Sequence, residues 1–428
     1  MTTSLEEVYQ RYESSSGVST DTRSIRPGDL FVALLGPNHD ANHYAAKALA
    51  SGASFAIVDR ADVAIDERYI LVDNGLSMLQ SLARLRAKKW SKPIIGLTGS
   101  NGKTTTKELL SAVLSVSMKV ASTPGNYNNH IGVPLTILNA DTAADLMIVE
   151  MGTNQPGDIE LLCDIAQPNL GLITNIGLAH LERLGSPQGI FEEKTALFRS
   201  VVSRTGRLFL NIGDQLLQTW PTGATDHTYA HDRCGYGELI QLESPDGRVR
   251  FKVSDGGVIQ TNLSGDYNMS NIAAALTVAH YFDIPEELAL NAIATYEPHN
   301  QRSQVMHTDR NVIIADAYNA NPSSMGASIQ SFASTYPNEN LLVIAGDMLE
   351  LGDKALVYHR EVLQQLKDLD LPSITVGPLF QQAGGGTLIG VNHAEESKLV
   401  ELLSSYEGKT ILIKGSRSMR LERLYDFL

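Results

Sequence analysis

The stretch Pro93-Ile94-Ile95-Gly96-Leu97-Thr98-Gly99-Ser100-Asn101-Gly102-Lys103-Thr104-Thr105-Thr106 decides how this chain reads. Ile94, Ile95 and Leu97 form an apolar run that enters a turn carrying Gly99 and Gly102. Lys103 and three threonines follow, and then Leu109, Leu110, Val113 and Leu114 fall on one helical face. Strand, tight turn and helix make a phosphate cradle. Glycines let the backbone approach an oxyanion, and the N–H groups at the helix start point at it. Gly99, Ser100, Asn101, Gly102, Lys103, Thr104 and Thr105 are therefore the candidate nucleotide contacts. Lys103 would reach the terminal phosphates, and Thr104 would offer its hydroxyl to Mg²⁺. The usual P-loop has glycine where Leu97 stands. The competing reading is a structural strand–helix turn with a surface lysine.

At 428 residues the chain exceeds one ordinary core, so two or three domains are expected. Apolar residues make up 43% and charged residues 19%, a globular composition. The net charge of −14, from 34 basic and 48 acidic residues, argues against nucleic acid as a partner. An acidic protein must hold an anionic nucleotide with local devices: a helix N-terminus, a lysine and a metal. Cys163 and Cys234 make no metal or redox spacing and fit a reducing compartment. No secretory apolar segment opens the sequence, and no run reaches the length of a membrane span. A cytoplasmic protein is expected.

Residues 1–92 read as a small α/β unit, with strand-like runs at 30–34, 55–58 and 69–72 and helical patterns at 43–50 and 75–90. Residues 93–300 alternate strands and helices, with apolar runs at 146–149, 170–176 and 207–211. Such continuous runs mark parallel strands, whose carboxyl ends gather ligands. Residues 239–263 alternate instead, with turn signals at Asp246-Gly247 and Gly256-Gly257, and predict an antiparallel patch. A helix follows at 269–281. Residues 296–301 read as a linker. Residues 301–428 predict an open α/β sheet, with strands at 311–316, 341–345, 373–376, 387–391 and 410–414 and helices at 322–333, 354–367 and 394–405. The fold class is α/β in three units.

Glu150 ends the 146–149 run, where an acid either holds Mg²⁺ beside Thr104 or caps the next turn. His180 follows the 170–176 run and is a candidate metal ligand or a structural histidine. Periodicity over 188–202 puts Lys194 inside an apolar stripe of Phe191, Leu197, Phe198 and Val201. A lysine there must snorkel, pair, or lose its charge; a neutral amine can take up CO₂ as a carbamate. Asn268 and Asn271 start a helix and would cap it or read an adenine edge. Asp316 ends a strand, where an acid grips ribose hydroxyls. Lys414 and Arg417, three apart around Gly415-Ser416, suit a carboxylate. Ser19-Thr20-Asp21-Thr22-Arg23 could fix a polar ligand or form a turn with a solvated ion pair.

With these pieces in place, the chain resembles the Mur ligase family from end to end. The family cradle, Thr-Gly-Ser/Thr-x-Gly-Lys-Ser/Thr, matches Thr98–Thr104, so the displaced glycine is the family's own departure. Four longer strings carry the resemblance: Gly125-Asn126-Tyr127-Asn128-Asn129-His130-Ile131-Gly132-Val133-Pro134, Ala317-Tyr318-Asn319-Ala320-Asn321-Pro322-Ser323-Ser324-Met325, Gly346-Asp347-Met348-Leu349-Glu350-Leu351-Gly352 and Lys414-Gly415-Ser416-Arg417-Ser418-Met419. The strings resemble the branch that adds a dipeptide. The Asp-Asn-Pro-Arg motif of the branch adding the third amino acid is absent, and folylpolyglutamate synthase shares the cradle but lacks these strings.

The resemblance implies an N-terminal unit (1–92) for a UDP-sugar peptide, a central ATPase unit (93–300) and a C-terminal Rossmann-like unit (301–428). It implies an ATP-dependent amide ligase that joins D-Ala-D-Ala to UDP-N-acetylmuramoyl-tripeptide through an acyl phosphate, acting as a monomer. It implies two Mg²⁺ sites, one on Thr104 and Glu150, the other on His180 and a carbamate of Lys194, fourteen residues further on. Lys103, Glu150, His180 and Lys194 would be the catalytic set. Arg302, Asp316, Asn268 and Asn271 would contact the nucleotide. Ser19 to Arg23, Asn126, Asn128 and Asn129 would line the UDP-peptide site; Asn319, Asn321, Lys414, Ser416 and Arg417 are further substrate contacts. Two positions depart from the family pattern: Tyr267 stands where histidine is frequent, and Asp40-Ala41-Asn42-His43-Tyr44 replaces Asp-Gly-His-Phe. The rivals are a P-loop kinase or GTPase and a non-catalytic nucleotide-sensing module.

Overall fold

The computed structural model describes residues 2–223, 226–244, 246–298, 302, 304–336, 340–385 and 400–428. The strand expected at 387–391, the start of the helix expected at 394–405 and the end of the 296–301 linker lie outside them.

The first unit opens with α1 (Leu5–Glu13), closed at its start by a Ser4–Glu7 capping box. Strands β1 (Val18–Ser19) and β2 (Leu30–Val32) follow, then a small ribbon of β3 (Leu35–Gly36) and β4 (His39–Asp40). Next come α2 (Ala45–Ala50), β5 (Phe55–Val58), β6 (Tyr69–Leu71) and α3 (Gly75–Lys89). The sheet runs β1-β2-β5-β6, all parallel.

The central unit continues with β7 (Ile94–Thr98), α4 (Lys103–Leu114), β8 (Val120–Ser122), α5 (Gly132–Leu138), β9 (Leu146–Glu150), α6 (Asp158–Ala166) and β10 (Leu170–Ile173). The run expected to extend to Ile176 leaves the sheet after Ile173, and His180 stands well beyond that strand end. The short α7 (Leu181–Leu184) precedes α8 (Pro187–Lys194) and α9 (Ala196–Ser203). The single helix expected over 188–202 is thus interrupted at Thr195, whose hydroxyl bonds back to the Phe191 carbonyl at 2.7 Å. After β11 (Arg207–Asn211) and β12 (His227–Tyr229), the parallel sheet is complete in the order β12-β11-β10-β7-β9-β8. β7 lies inside it, between β10 and β9, with all five residues buried. β13 (Arg233–Cys234), β14 (Gly237–Leu242), β15 (Arg248–Val253) and β16 (Val258–Ser264) form the antiparallel patch that alternation predicts. Helices α10 (Asn268–Tyr281) and α11 (Glu286–Thr295) close the unit.

The third unit contains β17 (Gln304–His307), β18 (Val312–Ala315), α12 (Pro322–Thr335), β19 (Leu341–Gly346), α13 (Ala355–Asp368), β20 (Ser373–Val376), α14 (Pro378–Gln382) and β21 (Thr410–Lys414). The strand order is β17-β18-β21-β19-β20, parallel except at β17.

Helices α1, α5, α6 and α11 are absent from the periodicity reading above. α5 is buried at every position, so it has no polar face to set a period. Packing does not break at Pro93: one apolar core joins Leu79, Leu82 and Ala83 of α3 to Ile137 of α5 and Leu162 of α6. Asn139 adds a polar seam, accepting from the Val18 N–H (2.8 Å) and donating to the Val18 carbonyl (2.9 Å). No helix among the described residues is long and apolar enough to cross a membrane.

Candidate functional site

The carboxyl ends of two parallel sheets face one another. β7 and β9 deliver Thr98 and Glu150 from one side; β18 and β21 deliver Asp316 and Lys414 from the other. A cavity of about 440 Å³ lies between them and takes in all four chain segments, a size suited to a small-molecule ligand.

The cradle forms its floor. Gly99 has φ +152°, and a Cβ there would stand 1.8 Å from the Thr174 hydroxyl. Gly102 has φ +77° and starts α4; its Cβ would meet the Asn271 side-chain oxygen at 2.4 Å. Only glycine serves at either place. The segment after β10 braces the loop. The N–H of Ser100 donates to the Asn175 carbonyl (3.0 Å), that of Asn101 to Asn175 Oδ1 (3.0 Å), and the Ser100 hydroxyl to the Gly177 carbonyl (2.9 Å). The first-turn N–H groups of α4 have no partner within their own helix. Gly102, Lys103, Thr104 and Thr105 line the cavity there.

Lys103 Nζ folds back onto the Gly99 carbonyl at 2.6 Å, and burial draws its pKa down to about 8. Lys194 Nζ donates to the same carbonyl at 3.0 Å. Lys194 is 1% exposed, and burial, with the Lys103 charge added, holds its amine well below the ordinary lysine range. Of the three fates open to this lysine, neither snorkelling nor a carboxylate hydrogen bond is realised. Its neighbour Glu193 turns instead to the start of α6, accepting from the N–H groups of Gly157 and Ile159 at 2.8 Å each.

Glu150 is 1% exposed. Its Oε1 accepts from the Thr104 hydroxyl at 3.2 Å and from Asn128 Nδ2 at 2.8 Å. Its Oε2 is buried without a hydrogen bond, 3.9 Å from Lys107 Nζ. Lys107 offsets part of the charge on that oxygen, but among the described residues nothing hydrogen-bonds it, which leaves it open to a cation beside the Thr104 hydroxyl. His180 lines the same cavity, in the left-handed region at φ +54°. Its Nδ1 stands 2.5 Å from Oε2 of Glu350 in the third unit, without an aligned hydrogen bond. Lys194 lies under the cradle at Gly99, whereas His180 faces the cavity and Glu350. Among the described residues no three His, Cys, Asp or Glu side chains cluster as a ready metal site.

The remaining candidates divide. Asn271 accepts from the Thr106 hydroxyl (3.1 Å) and donates to Asn268 (2.8 Å), which donates to the Ser264 carbonyl (2.7 Å). Both line the cavity, yet neither side chain caps α10; they brace the cradle helix. Asp316 pairs with Lys414 at 2.5 Å and accepts from Ser328 at 2.8 Å. Arg302 stacks on Tyr318, its guanidinium carbon 3.7 Å from the ring centroid, with a buried Nε that has no hydrogen-bond partner among the described residues. Asn321 caps α12 and donates from Nδ2 to Asn101 of the cradle at 2.7 Å. Asn319 lines the cavity; Ser416 holds the Leu349 N–H at 2.9 Å; Arg417 is exposed and paired with Glu422 at 3.3 Å.

A second cavity, of about 490 Å³, opens between the first and central units and takes in Ser19, Thr20 and Asp21 with Tyr127 and Asn139. Arg23 points away, 86% exposed and paired with Asp21 at 2.6 Å, the solvated ion pair of the bland reading. Asn129 spends its oxygen on the N–H groups of Ile131 and Gly132, while Asn126 lines neither cavity. Sequence reasoning missed Asn175, Tyr318, Lys107, Glu193 and Glu350. Tyr318 and Glu350 stood inside quoted strings; Asn175 was legible only as a polar residue ending an apolar run.

The chain matches known proteins along most of its length. Residues 14–87 match the catalytic domain of the Mur ligase family, 97–279 the Mur ligase middle domain, and 301–417 the Mur ligase glutamate ligase domain. The chain is similar to the UDP-N-acetylmuramoyl-tripeptide–D-alanyl-D-alanine ligase of Bacillus subtilis (strain 168), 33% identical over 423 residues covering 95% of this chain and 92% of that one. The enzyme of the same name from Treponema pallidum (strain Nichols) is 33% identical, covering 96% and 93%. Among solved structures, MurF from Acinetobacter baumannii superposes with a TM-score of 0.84 at 26% identity, covering 99% and 98%. MurF ligase from Thermotoga maritima in complex with ADP gives 0.83 at 27% identity, covering 97% of each chain.

Proposed function

The chain belongs to the Mur ligase family, and from that premise we infer that it joins D-Ala-D-Ala to UDP-N-acetylmuramoyl-tripeptide at the expense of ATP, in peptidoglycan precursor synthesis. One observation carries the reading. The phosphate cradle and the Thr104–Glu150 pair open on the same cavity as Asp316, Asn319, Asn321 and Lys414 of the third unit. A phosphoryl donor and an amine acceptor can therefore meet in one cleft.

The chemistry follows from leaving groups. A carboxylate oxygen is a poor one, so the tripeptide carboxylate first attacks the γ-phosphorus and ADP departs. The dipeptide amine then attacks the acyl carbon, the carbon–oxygen bond to phosphate breaks, and an amide remains. Lys103 and the N–H groups of the α4 first turn neutralise charge on the transferred group. Thr104 and Glu150 would hold Mg²⁺, whose part is to offset phosphate charge. The buried, neutral-leaning amine of Lys194 is the form that takes up CO₂, but it rests on the Gly99 carbonyl while His180 meets Glu350, so a second cation held by a Lys194 carbamate and His180 would require both side chains to leave these partners. Arg302, Asp316, Asn268 and Asn271 border the nucleotide, and the cavity at Ser19, Thr20 and Asp21 takes the UDP-peptide. The Asn321–Asn101 bond holds the third unit over the cradle and helps exclude water from the acyl phosphate. The units run 1–92, 93–300 and 301–428, and one protomer supplies every residue invoked.

The test is ADP release by purified protein given ATP and Mg²⁺. Release that requires both the UDP-tripeptide and D-Ala-D-Ala, with a product heavier by the dipeptide less water, is expected. Release with one substrate alone would indicate a kinase or hydrolase, and no release a binding module.

A further inference from the structure

A third cavity, of about 590 Å³, adjoins the first. Its walls are Ser100 and Lys103 of the cradle, His180, and a face of the third unit that brings Glu350, Arg417 and Arg420. It therefore holds cations and two carboxylates, Glu350 and Glu422, beside the place where the acyl phosphate forms.

The carboxylates differ in their commitments. Glu422 is paired with Arg417 at 3.3 Å. Glu350 Oε2 stands 2.5 Å from His180 Nδ1, and His180 with the Arg183 charge holds its carboxyl below the usual range, yet its side chain is 56% exposed and open to a further cation. Its backbone sits in the left-handed region at φ +63°, unusual for glutamate. Three bonds hold it there. The Glu182 N–H donates to its carbonyl at 3.1 Å, the Leu349 N–H to the Ser416 hydroxyl at 2.9 Å, and the Met348 N–H to buried His359 at 3.0 Å. Strained backbone kept by several independent bonds points to a side chain aimed for a purpose. The opposing residue, His180, is left-handed as well.

Resting on the ligase reading, we propose that Glu350 is the specificity residue for the incoming amine: its carboxylate receives the α-ammonium of the dipeptide, while Arg417 and Arg420 take the other, anionic end. A zwitterion is then oriented by charge alone. Its nitrogen lies toward Lys103 and the activated carboxyl group, and its carboxylate toward the arginines. The reverse orientation would set the dipeptide carboxylate against Glu350 and its ammonium against Arg420 and the Arg417 of the Arg417–Glu422 pair. The family motif that contains Glu350 thereby acquires a role in selecting a free amine.

The test compares D-Ala-D-Ala with N-propanoyl-D-alanine, the same shape without the ammonium. Affinities are measured by calorimetry on the full chain loaded with a non-hydrolysable ATP analogue and UDP-tripeptide. The wild-type protein should prefer the true dipeptide by roughly 10- to 100-fold, the range of a charge-assisted contact. Glu350→Gln should bind both alike, at the level of the desamino compound, and Glu350→Asp should retain part of the preference. An undiminished preference in Glu350→Gln overturns the assignment and leaves the ligase reading standing. If the loaded wild-type protein binds neither compound, the ligase reading falls and this assignment with it.

Discussion

Lys103 and Lys194 direct their Nζ atoms at one acceptor, the carbonyl oxygen of Gly99, at 2.6 Å and 3.0 Å. Two ammonium groups so close, both out of water, cannot both stay charged at little cost. Burial, and for Lys194 the charge of Lys103 as well, lowers the pKa of both amines.

Nucleotide binding should take up protons. With Lys103 near pKa 8 in the empty site, phosphate oxygens would stabilise the ammonium and raise that value. The uptake is largest above pH 8, where the free lysine has lost its proton, and small at pH 6.5. Calorimetry in buffers of different ionisation enthalpy should show it at pH 8.5, and Lys103→Met should abolish it. In turnover, Lys103→Ala should cost about 10²- to 10³-fold, by analogy with losing an oxyanion donor. Normal turnover would refute the cradle.

Removing CO₂ and bicarbonate should depress turnover reversibly if Lys194 works as a carbamate. Lys194→Met should be slow and indifferent to bicarbonate, yet at least as heat-stable as the parent, because it no longer desolvates an amine. A rate unchanged on stripping would reject the modification.

Asn321 has two duties, capping α12 and donating to Asn101. They separate by substitution. Asn321→Ala should lose about 1 kcal/mol of stability with the cap. Asn321→Ser should keep the cap, and Asn101→Ala leaves it untouched. All three should lower kcat through poorer closure. Denaturant melts beside steady-state rates check the split; equal rates in parent and variants would dismiss the clasp.

Tyr318 fixes Arg302 by stacking at 3.7 Å. A half-buried stack of this kind contributes about 1–2 kcal/mol, so Tyr318→Leu should raise the ATP dissociation constant roughly 5- to 30-fold. Tyr318→Phe keeps the ring and should bind ATP as the parent does. Equal weakening in both variants would mean the hydroxyl, not the ring face, matters.

The cradle, Glu150 and the alternation of strands with helices were legible because each depends on residues adjacent in the chain. An apolar run, a glycine turn and an amphipathic helix act within a dozen residues, and parallel strands announce themselves by being apolar throughout. Lys194 was legible too, as an anomaly: a charge inside an apolar stripe must be explained wherever the chain folds. Its partner was not, because Gly99 approaches it across the sheet from far back in the sequence. The role guessed for Asn271 needed the same information: its amide oxygen accepts from Thr106, which local spacing does not bring near, whereas Asn268 bonds Ser264 only four residues back.

By itself the amino-acid order determined most of the parallel strands, the strand–turn–helix at residues 93–106 and the family, since those are written in short-range periodicity and contiguous strings. Folding alone decided which side chains meet: Lys103 and Lys194 at one carbonyl, Asn101 with Asn321, His180 with Glu350. Such meetings depend on how one sheet edge is set against another, and that follows from burying apolar faces over the whole chain rather than from any single stretch.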